Sequence, residues 1–143
     1  MRLRELSLTY STTAVDIEDD LISTPADAAA AARRFIGDEP FETFGVFLLD
    51  SRHRVIAWAE VARGSLCAVS LAPRDIFARA VHANAAAIVA VHNHPSGDAS
   101  HSPDDLAFTR RLKQAGEILG IPLLDHVILG DDRYFSFKEA GLL

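Results

Sequence analysis

The sequence predicts a single α/β domain in which a mixed β-sheet is flanked by helices. Two patterns support this fold class. Apolar runs at 42–50 and 54–61 are joined by a short turn, which is typical of an antiparallel hairpin. The buried run at 86–92 is followed by a long helical pattern, which is typical of a strand–helix unit. The length of 143 residues agrees with one domain.

Residues 1–24 are expected to be an extension that precedes the domain. Leu6, Leu8 and Tyr10 alternate with polar residues, which predicts one short strand. The acidic run at 18–20 is typical of a solvated linker.

The domain is predicted to span residues 25–143 and to begin with a helix at 26–35. Thr24 can cap this helix, Pro25 suits its first position, and Asp27 can bond back to the cap. The helix start is therefore well specified by local sequence.

The rest of the chain alternates strands with two further helices. Continuous apolar runs predict strands, and proline followed by an acidic residue predicts a helix start. The predicted strands are 42–50, 54–61, 65–71, 86–92, 123–129 and 133–137, and the predicted helices run from 73 to about 83 and from 103 to about 119.

The composition excludes several classes of protein. With 14 basic and 20 acidic residues the net charge is −6, which argues against a domain that coats nucleic acid. One cysteine, Cys67, cannot form an intramolecular disulfide and indicates a reducing compartment. No signal peptide or membrane-length apolar stretch is visible, so we expect a cytoplasmic protein with no membrane partner. The overall composition does not explain why His92, His94 and His101 fall within ten positions of the sequence.

Two of these histidines can converge with a carboxylate. Side chains at positions i and i+2 of an extended chain point to the same side, so His92 and His94 can face one point. The turn-rich loop that follows can bring Asp105, on the first turn of the next helix, to that point. Two histidines and one carboxylate leave a fourth position for water, which is the pattern of catalytic zinc.

A hydrolytic zinc site also needs a base and a donor for the oxyanion. Glu60, an acid at the end of an otherwise apolar strand, fits the role of base. Ser102 fits the role of donor, although Ser102 and Asp105 also match a plain helix cap.

The order and spacing of these residues resemble the JAMM motif of JAB/MPN metalloproteases: a glutamate, then H-x-H-P, six residues, S, two residues and D. In this chain the motif falls on Glu60, His92, His94, Ser102 and Asp105. Further segments are similar to the RadC branch of that family over about residues 25–143: GSL, PRDI, NAAA, HNHPSGD and LLDHVILGDDRYFSFKEAGLL.

The resemblance implies a cytidine deaminase-like fold, one Zn²⁺ per chain and hydrolysis of peptide or isopeptide bonds in an unidentified protein or peptide substrate. The RadC branch carries a DNA-repair name, so an accessory or nuclease-like role in DNA repair is an alternative. Longer members have a helix-hairpin-helix segment suited to DNA. Residues 1–24 contain no glycine, so we expect a short member without it.

Some positions leave alternatives open. If His101 closed the fourth metal position, the chain would be a non-catalytic zinc module for interaction; otherwise His101 is an exposed loop residue. Arg110, Arg111 and Lys113 form a basic helix segment that is either a solvated face or a surface for nucleic acid or an acidic partner.

Two other positions are expected to be structural. Cys67 is expected to be a small packing residue. Asp125 and His126 are adjacent on a strand and point to opposite faces, so we expect a supporting or structural role for one of them rather than a catalytic dyad.

Overall fold

The described residues form a mixed five-stranded sheet with three helices, which confirms the predicted fold class. The structure is a computed structural model that describes residues 1–64 and 71–143. The helices are α1 Pro25–Ala32, α2 Pro73–His82 and α3 Pro103–Leu119, and the strands are β1 Thr43–Leu49, β2 Val55–Arg63, β3 Ala87–Asn93, β4 Leu123–Leu129 and β5 Tyr134–Ser136.

The strands lie in the order β2-β1-β3-β4-β5. The β1–β2 and β4–β5 pairs are antiparallel hairpins, and β1 also pairs antiparallel with β3. The β3–β4 pair is parallel, and α3 makes the crossover between them, as parallel pairing requires. The C-terminal end of β3 therefore lies beside the start of α3.

Helices cover both faces of the sheet, and each face has its own apolar core. Helix α1 packs on the face that includes Phe47, Val89 and Val91. Helices α2 and α3 pack on the opposite face, which includes Phe44, Val46, Ile88 and Ala90. Because β1 and β3 are covered on both sides, every residue of these two strands is buried, as their continuous apolar sequence predicts.

The start of α1 follows the predicted capping pattern. The Oγ1 of Thr24 accepts a hydrogen bond from the Asp27 N–H at 3.2 Å, and Asp27 Oδ2 accepts one from the Thr24 N–H at 2.8 Å. The helix ends at Ala32, three residues earlier than predicted, because the N–H groups of Arg34 and Phe35 bond three residues back, to the carbonyls of Ala31 and Ala32, in a tighter turn.

Two predicted strands need comment. The strand predicted around Leu6, Leu8 and Tyr10 is wrong: these residues have no regular secondary structure and their side chains are exposed. Alternation alone does not make a strand, because a strand needs a neighbouring strand to pair with. The strand predicted at 65–71 lies outside the described residues except for its last position. Among the described residues, no helix is long and apolar enough to cross a membrane.

Candidate metal centre

Three separate elements bring four potential metal-binding side chains together. His92 lies near the end of β3 and His94 follows it, Asp105 lies on the first turn of α3, and Glu42 directly precedes β1. The Nε2 atoms of His92 and His94 are 3.0 Å apart. Strand β1 lies next to β3, and the crossover helix begins beside the same sheet end, which explains how residues distant in sequence meet.

The carboxylate of Asp105 spans the two histidines. Its Oδ1 lies 3.4 Å from His92 Nε2, and its Oδ2 lies 3.3 Å from His94 Nε2. A tetrahedral metal with bonds of about 2.0–2.1 Å separates its ligand atoms by roughly 3.3 Å. Each of these distances is close to that edge, and the two distances end on different oxygen atoms of the Asp105 carboxylate.

Glu42 lies slightly further away and equidistant from the two imidazoles. Its Oε1 is 3.8 Å from Nε2 of His92 and 3.8 Å from Nε2 of His94. The ligand atoms of these three residues all lie within 4.8 Å of one another, so Glu42 with the two histidines is a second triad that could hold an ion. A single oxygen of Glu42 faces both histidines at a distance longer than a tetrahedral edge, whereas Asp105 presents a different oxygen to each histidine at a shorter distance.

The helix cap orients Asp105. Its Oδ2 accepts a hydrogen bond from the Ser102 N–H at 2.8 Å, and Ser102 Oγ accepts one from the Asp105 N–H at 3.0 Å. The cap and the metal-binding arrangement are therefore compatible. The hydroxyl proton of Ser102 is not used in this cap, since its oxygen is the acceptor.

Both histidines have a defined partner on the ring nitrogen that faces away from the cluster. His94 Nδ1 lies 2.8 Å from the carbonyl oxygen of Asp98, which can only accept, so this nitrogen carries the proton. His92 Nδ1 lies 2.8 Å from Nε2 of His126. A metal-binding histidine usually donates its other N–H in this way.

The charges of the cluster stabilise one another. Burial raises the pKa of the Asp105 carboxyl, but the adjacent imidazoles of His92 and His94 outweigh that effect and hold the pKa well below its ordinary value. The adjacent carboxylate of Asp105 raises the pKa of His94, against the opposing effect of burial. The carboxylate is therefore ionised at neutral pH, which a metal ligand requires.

The segment that carries Glu42 is held by Asn93, a residue that the sequence analysis did not single out. The side-chain oxygen of Asn93 accepts a hydrogen bond from the Thr43 N–H at 2.6 Å, and its amide nitrogen donates to the Phe41 carbonyl at 3.1 Å. Asn93 is buried and lies between the two histidines in sequence. One side chain thus fixes the backbone on both sides of Glu42 relative to the end of β3.

The structure does not bring Glu60 into this cluster, so the expected placement of the base is corrected. Residues Val91 and Glu60 both pair with Gly45, one on each side of β1, whereas His92 pairs with Phe44. Because side chains alternate between the faces of a sheet, Glu60 belongs to the face opposite His92. Its exposed carboxylate binds Arg63 at 2.6 Å.

The remaining candidate residues are placed as follows. His101 stacks on the ring of Phe135 at a centroid distance of 4.8 Å. Among the described residues, it does not belong to the group of side chains that could hold a metal ion. Arg110, Arg111 and Lys113 are exposed on α3, as a solvated helix face would be. Cys67 lies outside the described residues.

Asp125 and His126 pair with Val89 and Ala90, which belong to opposite apolar cores, so their side chains lie on opposite faces of the sheet, as expected. Burial lowers the pKa of His126 well below its ordinary value, so this ring is neutral. Burial raises the pKa of Asp125, which accepts hydrogen bonds from Ser136 Oγ and from the Lys138 N–H. A histidine inside the largely apolar strand LLDHVIL is the sequence signal that could have singled out His126 for the supporting role.

The donor set fits a metal ion. Two imidazoles present Nε2 atoms to one point, their Nδ1 atoms are engaged elsewhere, and an ionised carboxylate lies beside both rings. Nitrogen and carboxylate ligands suit zinc and other divalent transition metals.

A mixed sheet with helices on both faces, and with side chains at a strand end that could hold a metal ion, defines an α/β domain with a candidate metal site. The model of the RadC-like JAB domain matches residues 22–142. The chain belongs to the RadC-like JAB domain family.

Curated relatives share this region of sequence. A UPF0758 protein of Pelobacter propionicus is 52% identical over 102 residues, which are 71% of this chain and 44% of that protein. A UPF0758 protein of Trichlorobacter lovleyi is 46% identical over 121 residues, 85% of this chain and 53% of that protein. UPF0758 protein SAB1521c of Staphylococcus aureus is 48% identical over 120 residues, which are 84% of this chain and 53% of that protein. The chain spans about half the length of these relatives.

Proposed function

We propose that this domain is a zinc-dependent hydrolase of peptide or isopeptide bonds. The observation that carries the proposal is the position of Glu42, whose Oε1 lies 3.8 Å from both metal-facing imidazole nitrogens. Glu42 therefore lies further from the imidazoles than the proposed metal ligand Asp105. This distance is suited to contact with a water molecule that lies between Glu42 and the proposed metal position. The side chain of Glu42 is about one-fifth exposed, so water can reach it.

The chain's own residues divide the work. His92, His94 and Asp105 hold the metal and leave a fourth position. When bound, zinc would supply Lewis-acid polarisation of a carbonyl group and of a water molecule. Glu42, in the place expected for Glu60, takes the proton of the attacking water as general base and then delivers it to the leaving amine.

Ser102 is proposed to donate a hydrogen bond to the oxyanion. Its Oγ is held by the N–H of Asp105, so the hydroxyl is fixed beside a proposed metal ligand while its proton stays available to donate. A fixed donor aimed at developing charge stabilises the transition state without reorganisation. Removal of one such donor typically lowers kcat by about 10²–10³-fold.

The packing of His101 favours hydrolysis over a closed structural zinc site. Its ring stacks on Phe135 and also contacts Phe137 at 5.4 Å between centroids. A ring held in an aromatic contact is not drawn to the fourth metal position, which can then accept water.

The experiment compares Glu42→Gln with Glu60→Gln. Both are zinc-loaded and assayed on quenched-fluorescence peptides and on lysine-isopeptide-linked peptides. We expect Glu42→Gln to keep one zinc per chain and to lose about 10²–10⁴-fold in kcat, the usual contribution of a general base. Glu60→Gln, which changes an exposed acid on the other face of the sheet, should match the wild type.

Two results would contradict the proposal. Full turnover by Glu42→Gln would exclude Glu42 as the base, and an equal loss in Glu60→Gln would show that the geometry assigns the wrong acid. Hydrolysis of none of the linkages by the zinc-loaded wild type would argue against a hydrolase as such.

A further inference from the structure

A chain of hydrogen bonds leads from the candidate metal cluster into the core. His92 Nδ1 lies 2.8 Å from His126 Nε2, and His126 Nδ1 lies 2.6 Å from Thr109 Oγ1. Thr109 Oγ1 in turn bonds to the backbone carbonyl oxygen of Asp105 at 2.7 Å. The chain therefore begins at one proposed metal ligand and ends at the backbone of another.

The direction of each bond follows from the last acceptor. A carbonyl oxygen can only accept, so Thr109 donates its single hydroxyl proton to Asp105. Thr109 Oγ1 must then accept from His126, which places the proton of His126 on Nδ1. The Nε2 of a neutral His126 consequently carries a lone pair and accepts the Nδ1–H of His92.

The surroundings of His126 favour its neutral form. The residue has no exposed surface and its ring stacks on Phe137 at a centroid distance of 5.0 Å. The ring also lies 5.5 Å from that of Phe44. An imidazolium in such an apolar position would lack the solvation that a charge needs.

We propose that His126 and Thr109 are positioning residues that hold His92 in its Nδ1–H tautomer, with the lone pair of Nε2 directed at the metal. The proposal rests on the proposed metal site but not on hydrolysis. It assigns to the strand β4 and the helix α3 a role in metal affinity through side chains that touch neither metal nor substrate.

The same chain of hydrogen bonds explains why the hydroxyl group of Thr109 is required. Without its hydroxyl, the Nδ1–H of His126 would be buried with no acceptor, which is unfavourable. The ring can avoid this by moving its proton to Nε2, where it would donate to His92 Nδ1. His92 would then carry its own proton on Nε2, the nitrogen that must bind the metal.

Thr109→Val is the primary test, because valine matches threonine in shape and removes only the hydroxyl. Zinc affinity is measured for the whole chain by competition with a chromophoric chelator. We expect a loss of about 10–100-fold, the range typical of partners that support metal ligands. Thr109→Ser keeps the hydroxyl and should retain affinity close to that of the wild type.

A matched core variant separates positioning from general destabilisation. Leu112→Val removes a methylene from a fully buried side chain of the same helix, outside the hydrogen-bond chain. It should lower the free energy of unfolding by about 0.5–1.5 kcal/mol, by analogy with other removals of one buried methylene. Its zinc affinity should remain that of the wild type.

The tautomer itself is read by long-range ¹H–¹⁵N correlation spectra of the metal-free protein, at a pH well above the ordinary histidine pKa of about 6.5. We expect the wild type to show Nδ1–H on both His92 and His126, and Thr109→Val to show Nε2–H on His92. The zinc-bound wild type should keep the Nδ1–H of His92.

Three outcomes would overturn the proposal: wild-type zinc affinity in Thr109→Val, an equal loss of affinity in Leu112→Val, or Nε2–H on His92 in the metal-free wild type. None of them bears on hydrolysis. Loss of turnover in Glu42→Gln can therefore be established or refuted independently.

Discussion

Replacement of Gly45 by alanine tests the packing that sets β1 beside β2. A Cβ at this position would lie 2.1 Å from Cζ2 and 2.3 Å from Cη2 of Trp58. Ordinary van der Waals contact begins at about 3.4 Å, so the indole ring would have to shift by roughly 1.3 Å. Only a residue without a side chain fits under this ring.

Two aromatic contacts restrict the indole ring of Trp58, which is partly buried. It is stacked on Phe35 at a centroid distance of 5.0 Å and packs on Phe47 at 4.7 Å. Overpacking of a well-filled core typically costs about 1–3 kcal/mol. For a domain of this size we expect Gly45→Ala to lower Tm by roughly 3–10 °C.

The measurement is urea and thermal unfolding followed by circular dichroism. Gly37→Ala is the matched control, because a Cβ at Gly37 would meet nothing within 4 Å. In a Trp58→Ala background, Gly45→Ala should have little further effect, since the clashing ring is gone. An unfolding free energy of Gly45→Ala equal to that of Gly37→Ala would refute the packing argument.

Three further predictions concern local interactions. The hydrogen bond from the Thr24 backbone N–H lowers the pKa of the Asp27 carboxyl in the folded protein. The stabilisation that the ionised Asp27 gives to the fold is therefore complete above the unfolded-state pKa of about 3.9, and it is lost as pH falls through the lower folded-state pKa. Asp27→Asn should therefore destabilise the domain at pH 7 by less than about 1 kcal/mol, since the carboxylate is partly exposed, and this difference should vanish in acid unfolding curves. Asn93→Leu should reduce stability by about 1–3 kcal/mol, because the buried Thr43 N–H loses its acceptor, and should lower turnover without a comparable loss of zinc affinity. The guanidinium of Arg33 donates hydrogen bonds to three backbone carbonyls of the β4–β5 turn. Arg33→Met should therefore reduce the free energy of unfolding by about 1–2 kcal/mol and speed hydrogen exchange in that turn.

Most of the secondary structure could be predicted from local sequence, because helix starts and buried strands have local causes. The capping pairs Thr24–Asp27 and Ser102–Asp105 mark two helix starts, and both pairs form. The strand predicted in the first residues failed because pairing depends on a neighbouring strand, which the alternation of side chains does not reveal.

The convergence of His92, His94 and Asp105 also had local causes. The two histidines are separated by one residue at the end of a buried strand, and the carboxylate is on the first turn of the next helix. Spacing alone therefore indicated that these groups can meet, and the resemblance to the JAMM motif made the assignment specific. Their precise partners, His126 and Asp98, depend on a parallel strand and a loop conformation that no local pattern specifies.

The position of the acid beside the histidines is what the tertiary structure alone decided. Glu42 and Glu60 are both acids near strand ends, and the antiparallel pairing of β1 with β2 brings both to the same end of the sheet. The register then separates them, because a shift of one residue moves a side chain to the opposite face. The sequence determined that two histidines, the Asp105 carboxylate and a further acid near a strand end were all available for one site. Only the register of three paired strands determined that Glu42 faces them and Glu60 does not.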